Sequence, residues 1–132
     1  MSRVLLDTTF LVDAERAEPD LDEAIRDEDD VAIAAVTVAE LLVGVELATT
    51  KRRAARAGYV DDVIASIPII PYDVRVAVEH AHLLASVKRA GRPRGAHDLL
   101  IAATARATDR IVVTADESAF VDLPDVDFRK HR

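Results

Sequence analysis

The feature that most constrains the fold is the alternation of short apolar runs, rich in β-branched residues, with longer helical segments. The apolar runs predict strands at 4–6, 31–36, 69–70, 111–114 and 126–128. Helical patterns occupy 10–17, 37–49, 50–66, 73–90, 97–108 and 116–121, and Pro19 suits the first turn of a further helix that carries Leu21 and Ile25. Strands that are apolar throughout are buried on both faces, so this order predicts a parallel sheet covered by helices on both sides.

Periodicity also predicts which helical side chains face the core. In the helix at 50–66 and in the helix capped by Asp73, these are Val60, Val63, Ile64 and Ile67, and then Val74, Ala77, Ala81 and Leu84. The sequence GRPRG at 91–95 predicts a loop between the last two long helices.

Length and composition narrow the class of protein. The 132 residues predict a single domain spanning 1–132. The absence of cysteine excludes disulfide scaffolds, thiol nucleophiles and cysteine-based zinc sites. The longest apolar stretch, 31–48, carries Glu40 and Glu46, so it predicts a strand and a helix instead of a membrane span. With no signal-peptide pattern either, we expect a cytoplasmic protein.

The net charge of −7 alone argues against nucleic-acid binding, but its distribution does not. Residues 13–30 hold ten acidic and two basic residues and set the global sign. Elsewhere two basic clusters stand out, formed by Lys51, Arg52, Arg53 and Arg56, and by Lys88, Arg89, Arg92 and Arg94. Such clusters are either phosphate-binding surfaces or ordinary solvated faces.

Carboxylates follow the predicted strands at one edge of the sheet. Asp7 follows the first strand, Glu40 lies one turn into the next helix, Asp98 opens the helix after GRPRG, and Asp116 follows the strand at 111–114. Each has an alternative role at a helix start: Asp7 could be an N-cap, Thr37-x-x-Glu40 and Thr114-x-x-Glu117 both match a capping box, and the helix dipole favours Asp98. Four like charges in one crevice repel, however, and a divalent cation such as Mg²⁺ would compensate them.

Three strings carry a resemblance to a known family: VLLDTTFLVD, VTVAELLVGVELA and AHDLLIAATARATDRIVVTADESAF. Over residues 3–128 the chain resembles the PIN-domain ribonucleases, in particular the VapC-type toxins of bacterial toxin–antitoxin pairs. The resemblance implies a three-layer α/β/α sandwich with a mostly parallel sheet, and RNA hydrolysis with Mg²⁺ or Mn²⁺. It makes Asp7, Glu40, Asp98 and Asp116 the catalytic metal-binding residues, and Thr8 and Thr114 hydroxyl donors to these carboxylates. One departure is the segment 122–125, which lacks an expected glycine.

The resemblance also implies partners. These are an RNA substrate, a small VapB-like antitoxin that inserts a basic segment into the acidic site, and a second copy in a homodimer. Arg92 and Arg94 before Asp98, with Lys88 and Arg89, would contact the RNA backbone. A groove for an amphipathic antitoxin helix is predicted at Thr9, Phe10, Leu11, Val12, Leu42, Val43 and Val45; the alternative is that these side chains form core.

Two other functions remain open at this point. An acidic Mg²⁺ pocket also serves phosphatases and receiver domains, but Thr9 stands where such a phosphatase needs a second aspartate. No lysine occurs between Lys88 and Lys130 for the role it has in a receiver. The other alternative is a catalytically silent module that only binds a partner protein.

Overall fold

A five-stranded sheet organises the residues that the computed structural model describes, which are 2–16 and 29–130. The strands run in the order β3-β2-β1-β4-β5, and every neighbouring pair is parallel. Their bounds are β1 (Arg3–Leu6), β2 (Asp30–Ala34), β3 (Ile69–Ile70), β4 (Ile111–Thr114) and β5 (Phe128–Lys130). The predicted parallel sheet is therefore confirmed, with the first strand at its centre.

Helices connect the strands. They are α1 (Thr8–Glu15), α2 (Ala35–Glu46), α3 (Thr50–Ser66), α4 (Val74–Ala90), α5 (Ala96–Thr108) and a short 3₁₀ helix (Glu117–Ala119). None of the helices in the described ranges has the length and hydrophobicity needed to cross a bilayer. The helix predicted around Pro19 lies outside the described residues.

The central strands send alternate side chains into two separate cores. On one face Val4, Leu6, Ile33 and Val113 pack with residues of α1 and α3, such as Phe10 and Val60. On the other face Leu5, Ala32 and Val112 pack with α4 and α5, where Ala102, Ala103 and Ala105 are almost completely buried. Small side chains let α5 approach the sheet closely. Two cores on one sheet make the three-layer α/β/α sandwich expected from the sequence.

The strand order places a crevice at one edge. From β1 the chain moves outward through β2 and β3, and it then returns to the other side of β1 as β4 and β5. Connections thus leave β1 and β4 in opposite directions. In open parallel sheets, ligands bind outside the carboxyl ends of the strands at such a reversal.

Several local predictions were wrong. Of the stripe predicted for α4, Leu84 packs partly buried against the core, but Val74 is 78% exposed. The fully buried residues are Val76, Leu83 and Val87, so the buried face is rotated by about a third of a turn from the prediction. In α3, Val60 and Val63 are buried as predicted, but Ile64 is exposed. The second strand stops at Ala34, two residues before its predicted end.

The last strand also lies later than predicted, at Phe128–Lys130 instead of 126–128. The segment before it turns without the expected glycine, because Asp122 and Asp125 adopt left-handed conformations with φ of 65° and 56°. Aspartate tolerates this region better than most residues, since its short polar side chain can hydrogen-bond locally.

Candidate active site

Asp7 lies at the carboxyl end of β1, buried and only 3% exposed. Its backbone position is the N-cap of α1, and its Oδ1 accepts a hydrogen bond of 2.8 Å from the Thr8 backbone N–H. Its Oδ2 accepts from the Thr9 hydroxyl at 2.9 Å and from the Thr114 hydroxyl at 2.7 Å. Three donors therefore fix both oxygens of this carboxylate.

Two threonine hydroxyls join the ends of β1 and β4. Thr114 Oγ1 accepts from the Asp116 backbone N–H at 2.9 Å while it donates to Asp7. Thr9 Oγ1 accepts from the Ala115 backbone N–H at 3.0 Å. Asp116 is thereby held beside Asp7 with an exposed side chain, whose Oδ1 accepts a 2.5 Å hydrogen bond from the Ser118 hydroxyl.

Glu40 approaches from α2. Its Oε1 accepts a 2.7 Å hydrogen bond from the Thr8 hydroxyl, which also lies 3.3 Å from the hydroxyl of the fully buried Thr37. Its Oε2 lies 3.4 Å from Nδ1 of His97, at the start of α5. The carboxylate is thus oriented from two sides by residues of different helices.

Asp98 comes from the first turn of α5, and its electrostatics show that the four carboxylates share one crevice. Burial raises the pKa of Asp98, and the charges of Asp7, Glu40 and Asp116 raise it further. Burial also raises the pKa of Asp7, against the lowering effect of its three hydrogen bonds, and Glu40 adds to the rise. Without a counter-ion, the ionised form of both groups is therefore disfavoured.

The donor chemistry fits a hard divalent cation. Within residues 2–16 and 29–130, no three acidic or histidine side chains converge closely enough to enclose a metal ion by themselves. Mg²⁺ does not need such a cage, because it usually takes one or two carboxylates and keeps several waters. All the donors are carboxylate oxygens, and a divalent cation among them would stabilise the ionised forms of Asp7 and Asp98.

The structure brings together the six residues predicted for the acidic site: Asp7, Glu40, Asp98, Asp116, Thr8 and Thr114. The alternative roles at helix starts hold for Asp7, which caps α1 and faces the crevice as well, and for Asp98, which lies in the first turn of α5 where the helix dipole favours an acidic residue. Neither predicted capping box forms: Ala34 is the N-cap of α2, and Asp116 precedes the 3₁₀ helix without a side-chain cap. Helix capping therefore does not explain the presence of Glu40.

The basic residues predicted to contact RNA lie at the end of α4 and in the loop that leads to Asp98. Lys88 and Arg89 are exposed in the last turn of α4. Arg92 is exposed in the following loop, with Nη1 4.0 Å from Asp122 Oδ2. Arg94 is half-buried, and its guanidinium donates to backbone carbonyls.

Sequence reasoning missed four polar residues of the site: Thr9, Thr37, His97 and Ser118. The hydroxyl pair after Asp7 was visible in the sequence, but only the pairing of β1 with β4 shows that Thr9 binds Asp7 and Ala115. His97 directly precedes Asp98 in the sequence, which drew attention to neither of them as a partner of Glu40. The contact of His97 is with Glu40, on another helix.

A groove of about 540 Å³ opens beside Glu40 between α1, α2 and α3. Val12, Leu41 and Tyr59 supply its apolar lining, and Arg52 and Arg56 lie at its wall. Phe10 and Leu11, predicted to line a groove, are instead core residues at 3% exposure. Leu42 and Val43 are exposed as predicted but do not line this groove.

Comparisons with known proteins agree with this architecture. The family model described as PIN domain matches residues 4–126. Ribonuclease VapC5 of Mycobacterium tuberculosis is 38% identical over 114 residues, 86% of this chain and 82% of that protein. The tRNA(fMet)-specific endonuclease VapC of Shigella flexneri is 30% identical over 90 residues, 68% of this chain and 67% of that protein.

Solved structures show the same fold. The complex VapBC-5 of Mycobacterium tuberculosis contains a chain with a TM-score of 0.77 and 32% identity, covering 98% of both chains. VapBC2 of Rickettsia felis, bound to a promoter DNA fragment, contains a chain with a TM-score of 0.89 and 22% identity, covering 97% of this chain and 98% of that one.

Proposed function

Because this chain belongs to the PIN-domain family, among the VapC-type ribonucleases, we propose that it hydrolyses RNA phosphodiester bonds with Mg²⁺ or Mn²⁺ at its acidic crevice. The observation that carries the proposal is the shared electrostatics of Asp7, Glu40, Asp98 and Asp116, which reach one sheet edge from four separate segments. A structural role would not require three carboxylates whose charges raise the pKa of Asp98.

Asp7, Asp98 and Asp116 would hold the cation, directly or through water, and Glu40 would ligate it or orient the attacking water. A bound ion would lower the pKa of that water and neutralise charge on the phosphate. Asp7 is prepared for this role because its three donors fix its orientation before any ligand binds. Thr8 prepares Glu40 in the same way.

A VapB-like antitoxin is the proposed protein partner, since solved relatives are VapBC complexes by name. The groove beside Glu40 supports this proposal, because an amphipathic segment could bury apolar side chains against Val12, Leu41 and Tyr59. A basic residue following that segment would reach the acidic crevice. The homodimer and the cytoplasmic location expected from the sequence remain part of this proposal, as does a single domain over 1–132.

RNA would contact Lys88, Arg89 and Arg92, whose exposed charges suit a phosphate backbone. The Shigella relative is named for one tRNA. We propose a structured RNA substrate for this chain, and cleavage mapping on total RNA would identify it.

The substitution Asp7→Asn tests the proposal. Asparagine is an equally good N-cap, so α1 keeps its start, but the amide is a poor ligand for a hard cation. We expect Mg²⁺-dependent cleavage to fall at least about tenfold, a loss of roughly 1.4 kcal/mol of transition-state stabilisation. Asp61→Asn, on the exposed face of α3, is the matched control. A wild-type rate in Asp7→Asn would overturn the proposal.

A further inference from the structure

Arg94 connects the loop before Asp98 to the short helical turn that follows Asp116. It lies in the 91–95 loop, four residues before Asp98. Its Nη1 donates to the backbone carbonyls of Ser118 at 3.3 Å and Ala119 at 3.1 Å, and its Nη2 donates to that of Val121 at 2.6 Å. Both terminal nitrogens of the guanidinium are therefore used within the protein.

The chemistry of the contact explains why arginine stands here. The last carbonyls of a helix have no partner inside it, and the 3₁₀ helix ends at Ala119. A guanidinium is planar and presents its N–H groups as a rigid fork, so one side chain can satisfy several of these carbonyls. Arg94 is half-buried, and its bond to the Ala119 carbonyl is partly shielded from water, while the bonds to Ser118 and Val121 lie at the surface.

The contact continues to the acidic site by two short routes. Ser118, whose carbonyl binds Arg94, donates its hydroxyl to Asp116 Oδ1. On the other side, Gly95 lies directly against Asp98, because a Cβ at position 95 would be 2.9 Å from Asp98 Oδ2. Arg94 thus lies between Asp98, which its neighbour Gly95 adjoins, and Asp116, which its partner Ser118 hydrogen-bonds.

We propose that Arg94 is a positioning residue, which fixes the Asp116 turn relative to Asp98, and not a contact for RNA phosphate. The proposal rests on the ribonuclease function proposed above. It predicts that loss of Arg94 slows cleavage without weakening RNA binding.

The experiment compares Arg94→Ala with wild type by three measurements. Single-turnover cleavage gives the rate of the chemical step, and fluorescence anisotropy of labelled RNA in EDTA gives Kd at several salt concentrations. Amide hydrogen exchange of residues 116–121 reports the order of the turn without any need for activity. Arg92→Ala, in the same loop and with the same loss of charge, is the contrast.

For Arg94→Ala we expect the cleavage rate to fall about tenfold to a hundredfold, since misplacing a catalytic group by about 1 Å has this effect. Exchange at 116–121 should accelerate, while Kd and its salt dependence stay unchanged. In Arg92→Ala, exchange at 116–121 should match wild type.

A phosphate contact gives the opposite result. Kd rises, the slope of log Kd against log salt falls by about one, and exchange stays protected; this outcome overturns the proposal, as does no change in any measurement. If Arg94→Ala does not fold, Arg94→Lys decides: it keeps the charge but loses the fork, so positioning predicts slower cleavage and faster exchange at unchanged Kd. A wild type that cleaves no RNA refutes the ribonuclease proposal, while the exchange data still test the role of Arg94.

Discussion

The substitution Thr114→Val tests how far one hydroxyl holds the acidic site in place. Valine has nearly the shape of threonine, and Thr114 is fully buried, so the change removes the hydroxyl and leaves the volume. It removes the 2.7 Å hydrogen bond to Asp7 and the acceptor of the Asp116 backbone N–H. Asp7 then keeps two of its three donors.

The expected loss follows from these contacts. A hydrogen bond to a charged group contributes about 1.5–3 kcal/mol to stability, and removing the donor costs more when the acceptor remains buried without a replacement. Asp116 is exposed, so water can accept the hydrogen bond from its backbone N–H in place of the Thr114 hydroxyl at little cost. We expect the free energy of unfolding to fall by about 2 kcal/mol at neutral pH in EDTA.

The loss should depend on pH. Burial raises the pKa of Asp7, and the bond from Thr114 lowers it, so Thr114→Val raises it further. A carboxyl with a raised folded-state pKa binds its proton more tightly in the folded protein than in the unfolded one. The stability lost by keeping it ionised in the folded protein is therefore regained as pH falls from neutral through that pKa. Thr114→Val increases the loss of stability caused by the charge of Asp7 at neutral pH. The difference in the free energy of unfolding between the variant and wild type should shrink once Asp7 is protonated in both proteins.

Urea unfolding at neutral pH and at the lowest pH at which both proteins remain folded, with EDTA throughout, measures this. Thr114→Ser is the matched control, because it keeps the hydroxyl and loses only a buried methyl group, at a cost of about 1 kcal/mol at both pH values. If Thr114→Val is no less stable than Thr114→Ser at neutral pH, or if its loss is the same at both pH values, the hydroxyl does not hold the charged form of Asp7.

Three further predictions concern other parts of the site. Burial and the neighbouring carboxylates raise the pKa of Asp98, so metal-free stability should rise as pH falls from neutral; Asp98→Asn should then melt higher than wild type in EDTA at pH 7 and gain less from millimolar Mn²⁺. Gly95→Ala should displace the Asp98 carboxylate and weaken Mn²⁺ binding roughly tenfold by calorimetry. Burial raises the pKa of Tyr59 to about 12 and its hydroxyl donates to the Leu11 carbonyl at 2.6 Å, so Tyr59→Phe should cost about 1 kcal/mol in urea and remove a phenol ionisation near pH 12 from an absorbance titration.

The acidic site could be predicted because its residues are fixed by strand ends. Once strands and helices alternate, Asp7 and Asp116 must reach the same edge of a parallel sheet, and Asp98 follows from the helix start after the GRPRG loop. Glu40 then follows as well, because a helix that starts at the end of the second strand carries it at the same edge of the sheet. These inferences depend on local pattern and one topological rule.

Side-chain contacts between different helices and loops could not be predicted from the sequence. The approach of His97 to Glu40 depends on how α5 lies against α2, and the bonds of Arg94 depend on the path of two loops. The rotation of α4 was misjudged because alanines on its predicted face gave a weak hydrophobic signal, whereas Val76, Leu83 and Val87 determine the buried face. Packing decided each of these points.

The central place of β1 also sets when, during synthesis, the enzyme becomes competent. Asp7 leaves the ribosome early, yet the Thr114 hydroxyl that holds it is 107 residues later, and its own N–H bonds the Val113 carbonyl at 2.9 Å. Contacts so distant in the chain form late, because the intervening loop must close first. A nascent chain that ends before β4 therefore lacks Asp116, the Thr114 hydroxyl and the Val113 carbonyl that bonds the Asp7 N–H, so we expect no cleavage of RNA before β4 has been synthesised and paired with β1.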